Sequence, residues 1–82
     1  MDKRIGVIGI VIEDTSQVVE VNNLLHEYSH IIIGRMGIPY RERGLNVISL
    51  MVDGTNDDIG ALSGKLGKIK GLSIKSALSK KH

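Results

Sequence analysis

The sequence predicts an α+β fold: one ferredoxin-like βαββαβ sandwich over residues 1–82, with a four-stranded antiparallel sheet and two helices on one face. Three observations carry this. Four short segments rich in Ile, Val and Leu read as strands, and two segments between them repeat their apolar residues at helical spacing. The order is strand, helix, strand, strand, helix, strand. Two βαβ-type halves of this length favour the split-βαβ arrangement, in which both crossovers lie on the same side.

The elements follow in order. Residues 4–13 are β-branched and apolar, the pattern of a strand. Asp14-Thr15-Ser16-Gln17 opens a helix, with Asp14 placed to cap it and Gln17, three residues on, placed to reach back. Val18, Val21, Leu25 and Tyr28 then recur on one side and Glu20, Asn23 and Glu27 on the other, an amphipathic helix of about three turns. Residues 31–38 form the second strand, ended by Pro39. Tyr40-Arg41-Glu42-Arg43-Gly44 is a polar connection with a turn glycine, and residues 45–52 form the third strand.

Residues 53–58, Asp-Gly-Thr-Asn-Asp-Asp, turn the chain into a second helix. Thr55 with Asp58 resembles a capping box, and the acids suit the positive helix N-terminus. Ile59, Leu62, Leu66 and Ile69 form the apolar stripe of this helix, and Gly71 stands where a C-terminal cap is expected. Leu72, Ile74 and Leu78, alternating with Ser73, Lys75 and Ala77, make a last, half-exposed strand.

In this topology the first and third strands are central. Ile5, Val7 and Val11 point one way and Ile8, Ile10 and Ile12 the other, and Leu45, Val47 and Met51 likewise oppose Ile48, Leu50 and Val52. Both faces are apolar, yet two helices cover only one. An uncovered apolar face of this size marks an interface, so a homo-oligomer, dimer or tetramer, is expected. The pattern leaves open which of the two sets faces the partner.

Composition narrows the function classes. A chain of 82 residues buries only about 60% of its unfolded surface, and partners or staples commonly support such a domain. With no cysteine there is no disulfide framework, thiolate metal site or thiol nucleophile, which fits a cytoplasmic location. No apolar run reaches the roughly 18 residues of a membrane span, so no membrane role is expected. Tyr28 and Tyr40 are the only aromatic residues, leaving the core to Ile, Val, Leu and Met. Residues 1–58 carry nine acids against five bases, net −4, whereas residues 59–82 carry six lysines and no acid, net +6. That basic end is a solvated face or, as the alternative function, a nucleic-acid-binding surface, which the salt slope of binding would reveal.

Catalytic and cofactor signatures are absent, and no cofactor is expected. Gly60-Ala61-Leu62-Ser63-Gly64-Lys65-Leu66 is one residue short of a nucleotide loop and has Leu66 where Ser or Thr should hold magnesium. His26 and His30 stand four apart on the first helix without a third ligand nearby, a surface pair more than a metal site. Arg43-Gly44-Leu45-Asn46-Val47 begins like an RNA-recognition signature, but the strands carry no aromatic residue on which bases could stack. Arg35, Arg41 and Arg43 surround the connection between the second and third strands, which reads more readily as a solvated loop with Glu42 as partial neutraliser than as an anion site. Gly60, Gly64 and Gly67 fall on one strip of the second helix beside its apolar stripe. That strip is either a weak helix held by packing or a bare surface for a ligand or another backbone.

Gly34-Arg35-Met36-Gly37-Ile38-Pro39 and the stretch from Asp57-Asp58-Ile59-Gly60 through Lys68-Ile69-Lys70-Gly71 resemble a bacterial family to which the role of iron-only hydrogenase system regulator has been assigned. The resemblance covers nearly the whole chain. It implies an ACT-like fold, related in shape to the C-terminal domain of nickel-responsive regulators, and a regulatory or ligand-sensing, non-catalytic role tied to iron-only hydrogenase maturation. ACT domains carry Asp-x-Pro-Gly between the first strand and first helix. Here Asp14 matches, while Thr15-Ser16-Gln17 supplies neither proline nor glycine. Neither the nickel-binding His/Cys set nor a ribbon-helix-helix segment is present, so such a regulator is expected to act through a small molecule or a hydrogenase-related protein. The candidate ligand-binding residues are Asp14, Arg35, Gly60, Gly64 and Gly67.

Overall fold

A computed structural model describes residues 3–80; His82, whose origin as native residue or tag the sequence leaves open, lies outside them. The strands are β1 (Lys3–Ile12), β2 (Ile32–Tyr40), β3 (Leu45–Thr55) and β4 (Leu72–Leu78), and the helices are α1 (Val18–Glu27) and α2 (Asn56–Gly67). Single 3₁₀ turns at Thr15–Gln17, Ser29–Ile31 and Arg41–Arg43 bracket α1 and join β2 to β3. The sheet order is β2-β3-β1-β4, antiparallel throughout, so β1 and β3 are central as expected.

The alternation of β1 and β3 decides the core. Ile8 lies opposite Leu50 and Ile10 opposite Ile48 across the ladder, Ile12 and Val52 extend the same face at either end, and all six are buried beneath the helices. Val21 and Leu25 of α1, and Ile59, Leu62 and Leu66 of α2, close over them, joined by Ile31 and Ile69. Full burial of each such side chain is worth about 1.5–3 kcal/mol, so this single layer carries most of the fold's stability. It also fixes the sheet's polarity: the Val7 and Val47 set faces away from both helices.

Caps start the helices where the residue types require it. The Asp58 N–H donates to Thr55 Oγ1 at 3.1 Å, the first half of the anticipated capping box. Asp14 caps the Thr15–Gln17 turn instead of α1 directly, accepting from the Ser16 N–H at 3.0 Å and the Ser16 hydroxyl at 2.6 Å. Gln17 contributes its backbone N–H to the Asp14 carbonyl, and its side chain makes no cap.

Several boundaries differ from the sequence expectation. Pro39 does not end β2; it pairs opposite Asn46 within the strand. β2 is an edge strand, where the missing N–H of proline can face outward and break no ladder bond. β3 runs on through Asp53 and Gly54 to Thr55, because β1 continues to offer partners as far as Lys3. α1 ends at Glu27, and Tyr28 leaves helical geometry, so His30 lies in the following 3₁₀ turn and not on the helix beside His26. Gly71 does not cap α2, whose C-cap is Lys68. It turns the chain into β4 at φ +77°, and a side chain there would meet Asp14 Cβ at 2.6 Å.

Candidate functional site

The helix-free sheet face is an apolar field organised in rows by the strand register. One row reads Ile38, Val47, Val11, Ser73; the next reads Met36, Ser49, Gly9, Lys75; a third reads Gly34, Met51, Val7, Ala77. Tyr40 beside Leu45 closes one end and Ile5 beside Asp53 the other. Ile5, Val7, Met36, Ile38, Tyr40 and Val47 are between 40% and 65% exposed, and Val11, Leu45 and Met51 between them are half-buried, so the rows form a contiguous uncovered patch and not scattered surface residues. Tyr40 corrects the expectation that the strands lack aromatics. It is a single ring at the end of an edge strand, whereas base-stacking sheets place two or three on neighbouring positions.

The helical side carries two unlike grooves, because α1 sorts its polar residues between its flanks. Toward α2 it presents Glu20, Asn23 and Glu27, opposite Lys65 and Lys68, around a groove of about 390 Å³ floored by Leu24 and Ile69. This groove is largely self-neutralised. Lys65 Nζ lies 3.9 Å from Glu27 Oε1 and 5.1 Å from the centre of the Tyr28 ring. Tyr28 first, and then Glu27, hold the Lys65 ammonium above the usual lysine range. Toward β2, α1 presents Asn22 and His26, with Ser29 just beyond its end, and these line a groove of about 290 Å³ with Leu25, Ile32 and Arg35. Arg35 Nη2 donates to Asn22 Oδ1 at 2.9 Å, and the same pair borders a smaller depression of about 150 Å³ reaching Pro39 and Asn46.

The structure does not gather the five candidate ligand residues into one site. Asp14 is exposed in the β1–α1 connection against Gly71, and the two N–H and O–H donors of Ser16 hold its carboxyl below the usual carboxylate range, the hydroxyl contributing most. Arg35 lies on the helix-bearing face of the opposite edge strand. Gly60 and Gly64 are exposed with no atom within 4 Å of a would-be Cβ, so the glycine strip runs along the outer back of α2 and not beside its buried stripe; Gly67 alone approaches a neighbour, Ile74. Arg41 and Arg43 are exposed in their 3₁₀ turn and line none of the three grooves described. His30 stacks on Tyr28 at 6.1 Å between ring centres, while His26 lines the Arg35 groove. Among the described residues no three His, Asp or Glu side chains come together as a metal-ligand set. The lysines divide as well: Lys65 and Lys68 lie in the inter-helix groove, whereas Lys75 sits opposite Gly9 in the helix-free rows.

Of Asn22, His26 and Ser29, which line the same groove, only His26 stands out in the sequence, and only as the partner of His30. Their spacing of four and three is that of one helix stripe, and it was the available signal.

Residues 4–76 match the TM1266-like family, whose proposed role is that of an iron-only hydrogenase system regulator. The chain belongs to this family. Among solved structures it is similar to the uncharacterised protein TM1266 of Thermotoga maritima, at 44% identity over 96% of this chain and 100% of that one, with a TM-score of 0.90. More distant likenesses share the fold. A protein with the proposed role of glycine cleavage system transcriptional repressor is 17% identical over 100% of this chain and 49% of its own, with a TM-score of 0.73. A formyltetrahydrofolate deformylase of Pseudomonas putida is 13% identical over 89% of this chain and 28% of its own, with a TM-score of 0.64. No curated protein matches the chain. These neighbours agree with an ACT-like, ferredoxin-like fold. No helix among the described residues of this TM1266-like chain is long and apolar enough to cross a membrane.

Proposed function

We propose that this TM1266-like chain is a homo-oligomeric, non-catalytic regulatory module of an iron-only hydrogenase system, cytoplasmic, with the helix-free sheet face as its self-association surface. The uncovered apolar rows from Ile38 to Ala77 are the observation that carries the assembly. Four strands at ~4.8 Å spacing and about eight residues per strand at ~3.3 Å make a footprint of roughly 500 Å² per protomer. Two copies face to face therefore bury about 1,000 Å² before side-chain relief is counted, the lower bound of a stable interface. A second copy is the occupant that matches such a flat, nearly uncharged field, because it brings the same apolar rows. The family assignment supports the regulatory role, and the absence of a nucleophile–base–orienter set in the sequence supports a non-catalytic one.

Light scattering at micromolar concentration tests the assembly: a dimer or larger species is expected, and a monomer at high concentration sinks it. Capture of partners on the tagged chain from its native host tests the role. A hydrogenase-related protein, retained by wild type and identified by mass spectrometry, is the expected result; its absence removes the hydrogenase link.

A further inference from the structure

We infer that the groove between α1 and β2 is a binding site for a small organic oxyanion, a carboxylate or phosphate head on a short apolar body, with Arg35 as its anchor. The site names a ligand class for the sensing role proposed above and rests on that reading.

Charge is sorted unevenly between the two flanks of α1. Its carboxylates, Glu20 and Glu27, line the groove toward α2, where Lys65 and Lys68 answer them. The lining of the opposite groove holds a guanidinium, an imidazole, an amide and a hydroxyl, from Arg35, His26, Asn22 and Ser29, and no carboxylate. Among the described residues Arg35 has Asn22 as its hydrogen-bond partner and no acid at ion-pair distance.

The one bond it makes organises the rest. A guanidinium only donates, so the Asn22 oxygen must face Arg35 and the Asn22 amide nitrogen must present its two N–H groups elsewhere. Asn22 thereby steadies the Arg35 fork and leaves most of its five donors free. A planar fork with adjacent amide and hydroxyl donors matches the geometry of a carboxylate or phosphate. Leu25 and Ile32 complete the lining and offer apolar contact to the body of the ligand. At about 290 Å³ the groove stands at the small end of ligand sites, which restricts the body to a few carbons.

Amide-resolved NMR titrations of the full chain with inorganic phosphate and, separately, with hexanoate test the site. Saturable shifts are expected at Asn22, His26, Ser29 and Arg35 with both probes, hexanoate binding the tighter because Leu25 and Ile32 contact its chain, and tighter binding of phosphate overturns the apolar body. Arg35→Gln should weaken binding at least tenfold. Arg35→Lys should recover little of it, because the charge returns without the fork. Both variants alter an exposed side chain, and unchanged spectral dispersion confirms that they fold. Absence of saturable shifts with either probe, or shifts that persist in Arg35→Gln, or an equal response at Arg41 and Arg43, overturns the assignment. Because light scattering reads assembly independently, failure here leaves the proposed oligomer standing.

Discussion

Adjacent residues of β1 offer a sharp test of which sheet face meets a second copy. Val7 is 44% exposed on the helix-free side, and Ile8 is 0% exposed beneath the helices. Val7→Lys places a solvated ammonium on an open surface of the protomer, so folding should change by no more than about 0.5 kcal/mol. In a face-to-face dimer the same change removes the remaining burial of the valine. With full burial worth about 1.5–3 kcal/mol, the exposed 44% corresponds to roughly 0.7–1.3 kcal/mol per protomer, and a two-fold interface counts it twice. The loss is then about 1.3–2.6 kcal/mol, roughly tenfold to eightyfold in dissociation constant, and desolvating the two lysines adds to it. Ile8→Lys instead forces a charge into the packed layer of Ile10, Leu50 and Leu62, at a cost comparable to the whole 5–15 kcal/mol stability of a domain. Light scattering and circular dichroism over a concentration series should show Val7→Lys as a folded, smaller species and Ile8→Lys as unfolded. A Val7→Lys protein that keeps the wild-type mass at low micromolar concentration would refute the assigned interface.

Three further outcomes are expected. Gly60→Ala with Gly64→Ala should stabilise α2 by about 1 kcal/mol per site and raise the melting temperature, since a Cβ at either position meets nothing within 4 Å; a fall in melting temperature or a loss of assembly would mean that the back of α2 is itself in contact. Gly6→Ala should destabilise by about 1–3 kcal/mol in denaturant titration, because the added methyl would press on Leu78 and stand 2.7 Å from the Ala77 carbonyl, and a neutral result would show that β4 is only loosely paired. The lowered Asp14 pKa means that the unfolded chain takes up that proton first as pH falls. Its stabilising contribution is full above about pH 4 and is lost below, so the stability gap between wild type and Ser16→Ala should narrow from pH 7 to pH 3; a gap that stays constant contradicts the hydrogen-bond assignment.

Local information determined much of this protein. Hydrophobic period separates four strands from two helices, and the order of elements with short connections leaves one economical topology, with β1 and β3 central. Thr55 as the cap of α2 was legible because capping depends on a few neighbouring residues. The family itself was legible in the two stretches around Arg35 and Asp57. Tertiary structure decided what alternation cannot. Ile5, Val7 and Val11 are as apolar as Ile8, Ile10 and Ile12, and a period of two is symmetric between faces until helices pack on one. Pro39 and Tyr40 belong to β2 because an edge strand tolerates a missing donor, a condition set by sheet position and not by local propensity. The glycine strip resolves to the outer back of α2, and Arg35 meets Asn22 from thirteen residues away on another element. Spacing specifies which residues share a stripe. Which stripes face each other follows only once burial of the Ile8–Leu50–Leu62 layer fixes each helix's rotation about its axis and its seat over the sheet.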